Sequence, residues 1–110
     1  MRPRSGGIWL TDPGLAAKTP PVVIVSRLDP DPPQALVVYV PLTTQNRNSL
    51  YEVEMPRLGF LHAISVANVQ GIASIPAIRL ERKLGARPDA AMAEIRRAQL
   101  FALDLKSPAK

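Results

Sequence analysis

The chain has no cysteine, which excludes a disulfide framework, zinc–thiolate sites and thiol catalysis. A single histidine, His62, excludes a histidine-rich metal site. No apolar run approaches the roughly 18 residues that cross a bilayer. The basic start, Met1-Arg2-Pro3-Arg4-Ser5-Gly6-Gly7, lacks the apolar core of a secretory signal. A soluble, cytoplasmic protein with no membrane partner is therefore expected. Glycine fingerprints of the dinucleotide and P-loop kinds are missing, and so is a G-x-S-x-G elbow. No metal and no cofactor are expected. Acids are scarce as well: nine Asp and Glu stand against fourteen Lys and Arg, for a net charge of +5. That balance favours a polyanionic partner, either nucleic acid or an acidic protein.

What the chain does have is proline. Twelve prolines are spread through 110 residues, about twice average usage. Because proline breaks helix interiors, they leave one stretch long enough for a helix, Asp89 to Leu105, and exclude a helical bundle. With 46% apolar and 21% charged residues the composition is that of a globular chain. The length fits a single domain over 1–110, with a core of about 6–105 and flexible ends at 1–5 and 106–110.

Ile8-Trp9-Leu10 reads as a first strand, closed by the turn Thr11-Asp12-Pro13-Gly14. Pro21 to Ser26 and Ala35 to Val40 are β-branched runs and hence buried strands, the second closed by Pro41. Leu50 to Met55 alternates apolar and polar residues, as a strand with one wet face does. Ala63 to Val69 is a further strand, which Gly71 to Ile75 continues after a bend or bulge at Gly71. Pro88-Asp89 has the form of a helix start, and Met92, Ile95, Ala98 or Gln99, Ala102 and Leu105 form its apolar stripe. Five or six strands and one C-terminal helix, joined by tight turns, predict a mainly β fold. It is a curled, barrel-like antiparallel sheet with the helix packed on it.

Chemistry is concentrated in the polar segment Thr43-Thr44-Gln45-Asn46-Arg47-Asn48, directly after a buried strand. Its hydroxyls, amides and guanidinium suit a phosphate or a base edge; the same composition also suits a solvated connection. His62 is a candidate acid or base or a half-buried structural residue. Trp9 could stack a base but as the only tryptophan, within a strand, it reads as core. Arg79, Arg82, Lys83 and Arg87 form either a solvated face or a phosphate track.

Several of these segments, taken in order, resemble the PemK/MazF-type toxins of bacterial type II toxin–antitoxin systems. Gly7-Ile8-Trp9-Leu10-Thr11-Asp12-Pro13-Gly14 is similar to their first strand and turn, and Pro21-Val22-Val23-Ile24-Val25-Ser26 to their second strand. Val38-Tyr39-Val40-Pro41-Leu42-Thr43-Thr44 resembles their third strand and active loop. Tyr51-Glu52-Val53-Glu54, Leu58-Gly59-Phe60-Leu61-His62, Ser65 to Gln70 and Ile78-Arg79-Leu80 follow in register. The resemblance implies a small SH3-like barrel of the CcdB/PemK type with a C-terminal helix, and a homodimer. It also implies metal-independent, sequence-specific cleavage of single-stranded RNA (an mRNA interferase), neutralised by an antitoxin with an acidic or amphipathic tail, the pair binding DNA.

On this resemblance Thr43 matches the catalytic threonine and Gln70 the glutamine, while the position of the catalytic arginine, just before the proline of the second strand, holds Pro20. A fixed cation at the scissile phosphate is worth roughly 3–4 kcal/mol. Lys18 or Arg47 must therefore supply it, or the activity is lost. With Gln70, the residues Thr44, Gln45, Asn46, Arg79, Arg82 and Lys83, read from composition and charge, are the candidate RNA contacts. The alternative function is a non-catalytic, toxin-like dimer that binds an antitoxin or another protein such as gyrase, although the Trp-Gly-Ile ending of the gyrase poisons is absent.

Overall fold

A computed structural model describes residues 3–11, 21–59, 65–86 and 88–105 of the chain. Seven strands and one helix follow in the order β1 (Gly7–Thr11), β2 (Val22–Ile24), β3 (Leu36–Thr43), β4 (Glu52–Glu54), β5 (Val66–Asn68), β6 (Ala73–Pro76), β7 (Leu80–Ala86) and α1 (Asp89–Ala102). Short 3₁₀ turns at Val69–Gly71 and Ala77–Arg79 join β5 to β6 and β6 to β7. Every pairing is antiparallel, and the sheet runs β4-β5-β3-β2-β1-β7 without closing. β6 pairs beside it along the first half of β3.

The continuous apolar runs of β1 and β2 have a simple cause: both faces of the sheet are covered. Ile8, Val23, Val25, Val40 and Leu42 face the helix side, where α1 contributes Ala91, Met92, Ile95 and Ala98. Their neighbours in the alternation, Trp9, Val22, Ile24 and Val37, join Leu80 in a second core on the opposite face. Trp9 is thus a core residue, 2% exposed, as its place in a strand predicts.

Three expectations change. β3 does not stop at Pro41 but runs on to Thr43. Leu42 donates its N–H to the Pro21 carbonyl at 2.8 Å. Because successive amides point to opposite edges, the Pro41 nitrogen faces the other edge. There the partner of β3 changes from β6, ending at Tyr39↔Ala73, to β5, starting at Leu42↔Ala67. No ladder hydrogen bond is lost at this joint. Gly71 closes it, for a Cβ there would lie 2.9 Å from Cγ of Pro41.

The second change is β7, a strand among charged residues. Its register against β1 slips twice, leaving Glu81 and Leu84 as extra residues. The slip at Glu81 turns the strand over, so Leu80 packs in the Trp9 core while Leu84, four residues on, packs on the helix side. The third concerns the end of the helix stripe. Asp104 takes a left-handed conformation, φ 56°, and its N–H donates to the Phe101 carbonyl while that of Leu105 donates to Leu100. This pair of bonds is a Schellman end, and it turns Leu105 out to 56% exposure.

Candidate functional site

Thr43 is the last residue of β3, opposite Val66 of β5. Its position is fixed by a ladder, and the polar segment leaves from it. That segment is held by its own side chains. The Thr43 hydroxyl oxygen accepts from the Gln45 amide at 3.2 Å, and Asn46 Oδ1 accepts from the Asn48 amide at 2.8 Å. The Arg47 guanidinium donates to Gln45 Oε1 at 2.9 Å. Asn48 sits at φ 57°, a conformation that asparagine tolerates better than most residues.

The anchor of the loop is Glu52, the first residue of β4. Its carboxylate accepts from the Arg47 amide at 3.2 Å, from the Ser49 amide at 3.1 Å and from the Ser49 hydroxyl at 2.8 Å. The Ser49 hydroxyl oxygen in turn accepts from the Tyr51 amide. The bond from the Ser49 amide to Glu52 is the one a capping box makes, here closing a loop rather than opening a helix, while the Ser49 oxygen accepts from Tyr51 instead of from the Glu52 amide. The spacing Ser49-x-x-Glu52 carries the signal in the sequence. The hydrogen bond from the Ser49 hydroxyl holds the Glu52 carboxyl below the usual carboxylate range, helped by the two amides and the Arg47 charge and opposed by desolvation.

A depressed carboxylate stabilises the folded loop above its unfolded pKa and loses that contribution as pH falls through the lower, folded value. The loop is therefore expected to keep its order down through the ordinary carboxylate range and to loosen below it. Amide exchange at Arg47 and Ser49 against pH measures this, and Glu52→Gln should remove the pH step. An unchanged step in that variant would place its origin elsewhere.

Thr43, Thr44, Gln45, Asn46 and Arg47 are thus gathered on one exposed, internally bonded segment. Gln70 lies nearby, exposed on the turn Val69–Gly71 that packs beside Pro41. Its amide donates to Asn68 Oδ1, which caps that turn. Val66 and Gln70 are four residues apart, at most about 14 Å, so Gln70 and Thr43 occupy one end of the sheet. Arg82 and Lys83 are exposed on the edge strand β7, three strands along from β3, and Arg79 ends the turn before it. The structure does not bring them to the loop along the sheet order. Lys18, Pro20, His62 and Arg87 lie outside the described residues. Among those described, no group of three or more His, Asp or Glu side chains could hold a metal ion, and no helix is long and apolar enough to cross a membrane.

Comparison with known proteins bears on the family and the fold. Residues 4–101 match the family model of the PemK-like, MazF-like toxins of type II toxin–antitoxin systems. No match was found among curated proteins. Among solved structures, an endoribonuclease in complex with its cognate antitoxin from a mycobacterial species is 32% identical with a TM-score of 0.81, covering 96% of this chain and 99% of that one. The Mycobacterium tuberculosis toxin MazF-mt6 is 26% identical with a TM-score of 0.79, over 92% of this chain and 99% of its own. A MazE–MazF complex from Deinococcus radiodurans shares the fold, with a TM-score of 0.76 at 19% identity over 96% and 100% of the two chains. A strand ending in Thr43, a polar loop braced behind it and a match over nearly the whole length lead to one statement: the chain belongs to the PemK-like, MazF-like toxin family.

Proposed function

We propose that the chain is an endoribonuclease toxin that cleaves single-stranded RNA at a preferred sequence without a metal ion, and that an antitoxin with an acidic or amphipathic tail neutralises it. The observation that carries the reading is the loop after Thr43: a hydroxyl at a strand end, followed by amides and a guanidinium, in a segment that its own hydrogen bonds and Glu52 at its far end hold before any ligand arrives. Pre-set donors of this kind lose little ordering entropy when they meet a phosphate.

In the reaction, the 2′-hydroxyl attacks the adjacent phosphorus and the 5′-oxygen of the next nucleotide leaves. The products are a 2′,3′-cyclic phosphate and a 5′-hydroxyl end, with one proton taken from the 2′-oxygen and one delivered to the leaving oxygen. Thr43 donates a hydrogen bond to the phosphoryl oxygens, and Arg47 or Lys18 offsets the charge that grows on them. Thr44, Gln45, Asn46 and Gln70 hold the strand, and His62 is the side chain suited to move a proton near neutral pH. Arg79, Arg82 and Lys83 would extend the contact along the phosphates of a longer strand.

The toxin acts as a homodimer in this reading, and sedimentation at tens of micromolar should give the mass of two chains. The direct test is incubation of a long RNA with the folded protein in EDTA, followed by mapping of the ends. Cleavage at a repeated short motif is expected, and it should weaken steeply with salt because phosphate contacts release counterions. One observation favours the second reading, a non-catalytic toxin-like binding module: Pro20 where the family carries its arginine. RNA left intact by a folded dimer would decide for that module.

A further inference from the structure

Five aromatic residues occur in the chain. Trp9 is buried, Tyr39 packs against the same core, and Phe60 lies outside the described residues. The remaining two, Tyr51 and Phe101, meet each other at the surface. Their ring centroids are 5.1 Å apart at 61°, an edge-on contact, and Phe101 is 47% exposed. An edge-on pair leaves ring faces that neither partner covers.

Their location gives the pair meaning. The Tyr51 amide donates to the Ser49 hydroxyl oxygen at 3.2 Å, which ties the residue's main chain to the loop that starts at Thr43. The Tyr51 carbonyl accepts from the Val69 amide at 2.9 Å, which ties it to the turn that carries Gln70. The backbone of Tyr51 is thus bonded to the end of the polar loop and to the turn that carries the exposed Gln70. The flanking aliphatic residue Leu50 is also exposed, at 59%. Asp104, whose amide donates to the Phe101 carbonyl, makes the place unfavourable for a phosphate. A flat, uncharged group attached to a polyanion fits these constraints: a nucleobase stacked on a ring, its phosphates directed to the loop and to a chain of net charge +5.

We propose that Tyr51 and Phe101 form a base-stacking platform for one unpaired nucleotide of the RNA strand, next to the loop 43–49 and the Gln70 turn. The platform rests on the ribonuclease reading and deepens it. Stacking tolerates any base, because every base has a π face. The platform therefore holds the strand rather than choosing its sequence.

The test measures binding of a short single strand that contains the mapped cleavage motif, with deoxyribose at the scissile nucleotide so that it is not cut. Phe101→Leu should weaken binding on the order of tenfold and leave its salt slope unchanged, since no phosphate contact is lost. Phe101→Trp should restore it. Tyr51→Leu, melted in parallel, should weaken binding likewise. A strand with one abasic nucleotide at the stacked position should bind Phe101→Leu and wild type equally. If wild type cleaves RNA while Phe101→Leu and Tyr51→Leu bind the strand as wild type does, the platform is wrong. If those variants instead lose affinity for an antitoxin peptide or for a second copy of the chain with RNA affinity intact, the patch is a protein interface and the proposal is overturned. Should wild type itself neither bind nor cut RNA, the ribonuclease reading fails first, and the variants need not be consulted.

Discussion

Thr43→Ala is expected to slow RNA cleavage about a hundredfold, the usual consequence of removing one donor aimed at developing charge. The melting temperature should barely change, because the side chain is only half-buried at a strand end. Two effects must be separated. The Thr43 hydroxyl oxygen also accepts from the Gln45 amide, so alanine both removes a donor and frees the first turn of the loop. Thr43→Ser keeps the hydroxyl for both tasks and should retain most of the activity. Arg47→Ala and Lys18→Ala, assayed in EDTA beside it, identify the cation. The one that carries it should lose on the order of a hundredfold or more, since a phosphoryl transfer deprived of its fixed charge forfeits several kcal/mol. Wild-type rates in all three alanine variants would mean that the chemistry sits elsewhere on the chain.

The second large effect concerns stability. Ile95 is fully buried, in the cluster that joins α1 to Val53, Met55 and Val69. Deleting its branched side chain removes apolar surface and leaves a cavity, and Ile95→Ala should cost about 3 kcal/mol. A domain of this size holds roughly 5–15 kcal/mol in all. The melting point should therefore fall on the order of 12 °C. Urea unfolding measures the loss directly, and a cost below about 1 kcal/mol would show that the helix is not packed through this residue. Because β4 and the Val69–Gly71 turn lie under that helix, heat should also inactivate this variant well below the wild-type melting point.

How far the sequence reveals this molecule depends on whether a residue answers to its neighbours along the chain or across it. β1 and β2 are legible because both faces are buried, which writes unbroken apolar runs. The helix is legible from Pro88-Asp89 and its spacing of three to four. β7 is not, because two register slips against β1 remove the alternation and an edge strand carries charge readily. Pro41 misleads for a similar reason. Proline is usually a stop, but here its missing N–H falls where β3 exchanges one partner for another, which no local rule can foresee. At the site, Thr43 and its loop stand out through composition and resemblance together. Glu52 does not. Its role lies in amides three and five residues away, although the Ser49-x-x-Glu52 spacing was there to be read.

The close approach of Gly71 to Pro41 has a consequence for what substitutions the chain tolerates. A methyl group at 71, the residue next to Gln70, would press on Cγ of Pro41, two residues before Thr43. The glycine acts as a spacing gauge between the two candidate RNA contacts, and any side chain there works as a shim that shifts one against the other. Gly71→Ala should thus impair activity while Thr43 and Gln70 both remain, and shortening the other wall with Pro41→Ala should return part of it. The two positions are each other's genetic background: neither substitution has a fixed effect until the residue at the other is known.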